Sequence, residues 1–304
     1  MISIAFWVGL VAAILALWFS GLFDEAWEGF RGARLIPLIA VVLVGMALPI
    51  VHAFRWMVVM RSLGFEIRAV EAADITVSSA LLNYASPGFV GASAKAILAN
   101  RSTAVPMRQS ALSIGFEHSL DLFLMVTTSS IAILILGPSR FRGAVRPVED
   151  QVSVLTVIIT VGVIAILTTA VLKFNLLAYF RQLLHTIETL GRKVDGRAVV
   201  LLTFAYWFLQ VMVVGLLFWS LNLTLSLLDI FAIATVPTLA GMLAPVPGGV
   251  GVREAMIVAL TTVTEIGAGT LLTLAILQRV LLVASLPLSL AVLRIVRRMI
   301  PDTE

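Results

Sequence analysis

The sequence predicts an all-α polytopic membrane protein with about six transmembrane helices plus two re-entrant helical hairpins in an inverted repeat. Three observations carry this expectation. Hydrophobic residues make up 60% of the 304 and charged residues only 12%, against about 45–50% and about 25% in a soluble domain. Apolar runs of spanning length recur along the chain, with a mean hydropathy of +1.07. Two further apolar runs are interrupted midway by proline and glycine. So little charge does not cover a water-facing surface, which excludes a soluble enzyme, a disordered chain and a nucleic-acid binder. The net charge of +4 and pI of about 10 do not indicate nucleic acid either, because the basic residues sit in short loops. Cysteine is absent, so there is no disulfide framework, thiolate metal site or cysteine nucleophile.

A helix needs about 20 apolar residues to cross a hydrocarbon core about 30 Å thick. Ile4–Phe23, Leu35–Met60, Ser110–Leu136, Val152–Leu172, Ala198–Leu221 and Leu271–Ile295 meet that length. The first is not read as a signal peptide. It lacks a basic leader and a small-residue cleavage site, and Asp24-Glu25 follows it. Ala72–Leu98 is broken by Asn83-Tyr84-Ala85-Ser86-Pro87-Gly88, and Leu228–Leu260 by Pro245-Val246-Pro247-Gly248-Gly249-Val250-Gly251. Each arm is about 12 residues, too short to span. Proline removes a backbone donor, so the chain should turn at these breaks. Backbone freed at membrane depth must be buried in protein or face water. Two ordinary kinked helices are the alternative.

Charge orients the spans. Lys173, Arg181, Arg192, Lys193 and Arg197 make one loop basic, and Arg294, Arg297 and Arg298 do the same for the tail. With both inside, the second hairpin enters from outside, the first from inside, and both termini are cytoplasmic. Asp24, Glu25 and Glu28 then lie outside. The loop with Arg140, Arg142 and Arg146 runs against this bias, partly offset by Glu149 and Asp150. Span, hairpin, span over about 35–136 recurs inverted over about 198–295, within one membrane domain covering 1–304. Gly88 precedes Glu117 by 29 positions and Gly248 precedes Arg279 by 31. Inverted repeats whose broken helices meet near the midplane are a transporter design. Between the halves, 174–193 places Leu176, Leu177, Phe180, Leu183, Leu184, Ile187 and Leu190 at helical spacing, opposite Arg181, His185, Glu188 and Arg192. It reads as an amphipathic surface helix, either a linker or a lipid sensor.

Ionisable residues inside spans cost about 2.5–3.5 kcal/mol each at the helix centre on insertion scales. They therefore need partners or water. Glu117, His118 and Asp121 fall within one span, with Glu117 and Asp121 on one face. Gln278 and Arg279 fall within the last span, and Arg253-Glu254 follows the second break. The expectation is a polar cavity between the repeats, lined also by Asn83, His118 and Gln278, in which Glu117 and Asp121 face Arg253 and Arg279. A structural salt-bridge network is the alternative. No metal site is expected, since no second histidine lies near Glu117, His118 and Asp121. Gly248, Gly249 and Gly251 would free backbone N–H groups at a helix start, an anion site to which Lys95 and Arg253 add charge. Alternatively, these glycines only let the arms pack closely. Arg55 is expected to snorkel to the cytoplasmic interface, and His52 to be a satisfied helix residue.

The motif Pro245-Val-Pro-Gly-Gly-Val-Gly-Val-Arg253-Glu254 resembles the flippase-like family that includes the membrane domain of lysylphosphatidylglycerol synthases and hopanoid-associated membrane proteins. Arg55-Trp56 with Leu63-Gly64, then Asn83, Pro87, Gly88, Gly91 and Lys95, and Glu117, Asp121, Arg279 and Pro287 support it. Ser93 and His118 depart from the family's usual acidic residue and arginine. The resemblance implies translocation of a phospholipid or polyprenyl-type lipid. It also implies that a soluble aminoacyl-transferring domain makes the lipid in two-domain members. The chain after Ile295 leaves no room for such a domain, so synthesis of an aminoacylated lipid is not expected.

The expected function is therefore a lipid transporter or flippase, not an enzyme, for an anionic or lipid-linked substrate and with no cofactor. An accessory subunit for a separate lipid-modifying or glycosyl-transferring enzyme, or an intramembrane lipid-linked transferase, are the alternatives. The expected location is a prokaryotic cytoplasmic (inner) membrane.

Overall fold

A computed structural model describes residues 31–85, 90–103, 105–137, 194–243 and 252–299. The expected spans Ile4–Phe23 and Val152–Leu172, the amphipathic stretch 174–193 and both hairpin tips lie outside these residues. Every regular element described is helical: α1 (Leu35–Ser62), α2 (Ala69–Ala85), α3 (Val90–Thr103), α4 (Met107–Leu136), α5 (Gly196–Ser220), α6 (Leu227–Leu243), α7 (Val252–Ala259), α8 (Thr261–Thr264) and α9 (Ala268–Met299). α1, α4, α5 and α9 are long and apolar enough to cross a membrane. Their outward faces are apolar, with Phe123, Leu134, Leu201 and Phe208 each at least 67% exposed. Outside a membrane that pattern would be costly; in hydrocarbon it is the solvated state.

Local chemistry sets the helix ends. α1 stops in a Schellman arrangement: Gly64 has φ 86°, its N–H donates to Arg61 O at 3.0 Å, and Phe65 N–H donates to Met60 O at 3.0 Å. Asp195 caps α5, its Oδ1 accepting from the N–H groups of Arg197 and Ala198 at 3.2 and 3.3 Å. Ser226 opens α6, where its Oγ accepts from Asp229 N at 3.1 Å and donates to Asp229 Oδ2 at 2.6 Å, a variant of the capping box.

The apolar pattern foresaw arms of about 12 residues around each break. The arms are instead 17 and 14 residues in the first pair and 17 and 8 in the second. In the first pair helix continues through polar ends such as Glu71 and Arg101 that an apolar count leaves out, and through Asn83-Tyr84-Ala85, which the sequence reading put in the break, whereas α7 stops short at Ala259. Within each pair the arms pack on each other, and the first arms cross over: α2 packs on α9 and α6 on α4.

Helix directions follow from which ends meet. Arg34 N–H donates to Ser220 O at 2.7 Å, while Val59 shares a core with Val194 and Val199, so α1 and α5 run antiparallel. Trp56 bonds Ser113 near the start of α4, and Leu136 at its end packs on the core that holds Val41. α4 is therefore also antiparallel to α1. Gly45 lies against Leu282 and Ser285, and Trp56 and Met60 share a core with Leu286 and Leu293, so α9 runs parallel to α1. One core gathers Leu48, Leu217, Phe218, Ile233, Leu271 and Leu274; a second lies around Trp56, Met60, Ile75, Val77 and Ala99. α1 and α9 pass through both.

Candidate functional site

The face of α1 that carries His52, Arg55, Trp56 and Val59 turns inward, because α4 and α5 cover it. Arg55 is fully buried. Its guanidinium grips Asp121 with both ends, Nη1 to Oδ1 at 2.6 Å and Nη2 to Oδ2 at 2.8 Å. Its Nε donates to Glu117 Oε1 at 3.1 Å and Nη1 also reaches Thr203 Oγ1 at 3.3 Å. Planar fork-to-carboxylate pairing is the strongest geometry open to an arginine. Glu117 and Asp121 sit one turn apart on α4, so one guanidinium engages both.

The other carboxylate oxygen of Glu117 belongs to a different element. Lys95 of α3 donates from Nζ to Oε2 at 3.0 Å, and its ammonium stands 4.7 Å from the Trp56 ring centroid, within cation–π range. Trp56 is itself fixed, its Nε1 donating to Ser113 Oγ at 2.9 Å. His52 Nε2 lies 3.5 Å from the same Oε2 but makes no hydrogen bond. α5 closes the cluster. Trp207 Nε1 donates to Asp121 Oδ1 at 2.9 Å, and the Tyr206 ring lies 5.6 Å from that of His52 and 5.7 Å from the Arg55 guanidinium carbon. Two cations and two anions thus neutralise each other among four helices, the arrangement that makes buried charge tolerable.

A second, smaller cluster joins α7 to α9. Arg279 Nη2 pairs with Glu254 Oε1 at 2.6 Å, both side chains largely buried. Arg253 and Gln278 lie beside them around a cavity of about 10 Å³, about the room a single water centre needs. Gln278 is 3% exposed and its Nε2 has no hydrogen-bond partner. The two clusters match with charge reversed. Lys95 on α3, the second arm of the first pair, holds Glu117 on α4, and Glu254 on α7, the second arm of the second pair, holds Arg279 on α9.

The model of the lysylphosphatidylglycerol synthase transmembrane region matches residues 6–288. The chain belongs to that family. No curated protein and no solved structure matches it.

The structure changes several expected pairings of this family member. Glu117 and Asp121 face Arg55 and Lys95, not Arg253 and Arg279. α1 and α3 lie on the acidic face of α4, whereas α7 directs Glu254 to Arg279. Arg55 does not snorkel; the two carboxylates give it charge partners in the interior. Lys95 is bonded to Glu117, not held open for an anion. His52 is not a satisfied helix residue, as its Nε2 shows. His118 is exposed, with Nδ1 3.0 Å from Ile114 O, one residue round the helix from the cluster. Asn83 of α2 abuts Gly91 of α3, where an added Cβ would collide with it. Gly248, Gly249 and Gly251 lie outside the described residues. Among the described residues no group of three or more metal-binding side chains forms. Thr203, Tyr206 and Trp207 escaped the sequence reading. The available signal was Thr203, Trp207 and Gln210 recurring at helical spacing on an apolar span.

Proposed function

We propose that the protein moves a lipid with an anionic or lipid-linked headgroup between bilayer leaflets. The observation that carries this reading is the buried Arg55–Glu117–Asp121–Lys95 cluster. It places four charges inside an apolar bundle and joins three long helices to one short hairpin arm. Charge inside a membrane is expensive and marks pathways and moving parts. Family membership supports a lipid-related role at the membrane. In this reading the paired short arms are re-entrant hairpins that approach the bilayer midplane from opposite sides. α1 and α9 running against α4 and α5 is the direction pattern of an inverted repeat. The charge bias of the loops argues for cytoplasmic termini in a prokaryotic inner membrane. In this reading the protein is a transporter and not an enzyme, and the mutual pairing of the four charges among the described residues supports it.

The test is purified protein in liposomes carrying fluorescent phosphatidylglycerol or fluorescent phosphatidylcholine, with an external quencher reporting leaflet exchange. Faster exchange than in empty liposomes, greater for the anionic lipid and reduced by Glu117→Gln, is expected. Exchange no faster than in empty liposomes would reject autonomous transport and leave an accessory role beside a lipid-modifying enzyme.

A further inference from the structure

We infer that His52 is a proton-binding site, and that a proton taken there competes with Lys95 for Glu117 and unlatches the second arm of the first hairpin. Two groups on different elements converge on one oxygen, Glu117 Oε2: the Lys95 ammonium of α3 at 3.0 Å and His52 Nε2 of α1 at 3.5 Å. The ammonium is bonded to it. The imidazole nitrogen is buried and unbonded, although a quarter of the His52 side chain is exposed. With His52 neutral, Arg55 and Lys95 balance Glu117 and Asp121.

The charges acting on the imidazole are Lys95 of α3, Glu117 of α4 and Arg55 on its own helix. Asp121 is held beyond them by Arg55, and α5 presents the Tyr206 ring. α2 and α9, which also pack on α1, carry Glu71, Asp74, Arg279, Arg294, Arg297 and Arg298, and none of these is among the charges acting on the imidazole. A proton binding the Nε2 lone pair turns the facing nitrogen into a cationic N–H group 3.5 Å from Oε2. The cluster then holds three cations and two carboxylates. Arg55 is fixed by four hydrogen bonds, so Lys95, with its one ionic partner, is the cation that gives way. α3 loses its charged tie to α4, and loss of the proton restores it. The inference names a second ligand, the proton, and is measured without any lipid substrate, so it stands or falls separately from the transport reading.

Two measurements on the full chain in nanodiscs test it. The chain has three histidines, so His118→Gln with His185→Gln leaves His52 as the sole imidazole for nitrogen NMR. That signal should pass from the neutral to the cationic form as the buffer is taken from about pH 8 to about pH 4. Hydrogen–deuterium exchange over 90–103, corrected for the intrinsic effect of pH, should rise several-fold on acidification in the wild type. It should not respond in His52→Gln, and should be fast at both ends of the range in Lys95→Gln. A His52 signal that does not titrate, or an α3 response equal in wild type and His52→Gln, overturns the inference. Should His52→Gln fail to fold, Lys95→Gln decides: a response to pH that persists without the ammonium overturns it too.

Discussion

Asp121 is the residue on which the main cluster depends most. It takes both ends of the Arg55 fork and the indole N–H of Trp207. Asp121→Asn removes the charge while keeping the shape, leaving a fully buried guanidinium with one carboxylate. Loss of one partner from a buried pair typically destabilises by about 3–5 kcal/mol. A marked fall in the thermal unfolding midpoint in detergent is the expected result; an unchanged midpoint would mean that water already screens Arg55. Arg55→Lys keeps the charge but offers no fork, so it too should lower the midpoint. At the exposed end of α5, Asp195→Ala should cost only about 1 kcal/mol, because a lost N-cap is partly replaced by water. The three substitutions separate buried charge from surface capping in one set of melts.

Between elements, contact distance decides. Gly45 sits where α1 crosses α9, and a Cβ there would fall 2.7 Å from Ser285 Oγ and 3.1 Å from Leu282 Cδ2. Gly45→Ala should therefore push the two helices apart and reduce the yield of folded protein. Gly115 of α4 has no described atom within 4 Å of the corresponding position. Gly115→Ala should be neutral or stabilising by up to about 1 kcal/mol, the helix preference of alanine over glycine. Equal losses from both substitutions would show that the α1–α9 crossing is looser than its geometry. Gly91→Ala tests the first hairpin in the same way, since the colliding atom is Asn83 of the facing arm.

Across the whole molecule, the hairpin ends fall at opposite ends of the bundle. Arg68 and Arg101 flank the first hairpin, beside the end of α1. Asn222 and Glu265 flank the second, beside the start of α1, and all four are exposed. Single cysteines at these positions, on a chain that has none of its own, should react with a membrane-impermeant thiol reagent in two groups. Positions 68 and 101 should be labelled from one side, 222 and 265 from the other. Labelling of 68 and 101 from opposite sides would make α2 and α3 a full crossing and end the re-entrant reading.

Composition and apolar run length alone determined that the chain is a helical membrane protein and where the four described spans lie. These properties are set within a single helix, by its solvent. The same reading marked Glu117, Asp121 and Arg279 as needing partners, since a charge within an apolar run is costly wherever its partner lies. Only the tertiary structure decided who those partners are. Arg55 is 62 residues from Glu117 and Thr203 is 148 from Arg55, and nothing in local spacing distinguishes an arginine bound for the interface from one bound for the core. What separates them is the neighbouring helix: α4 lays two carboxylates against Arg55, whereas Arg61, six residues on, meets none among the described residues and stays exposed. The antiparallel seating of α1 on α5 brings Tyr206 and Trp207 to the same place, and helix-to-helix packing of that kind is a property of the bundle, not of any one segment.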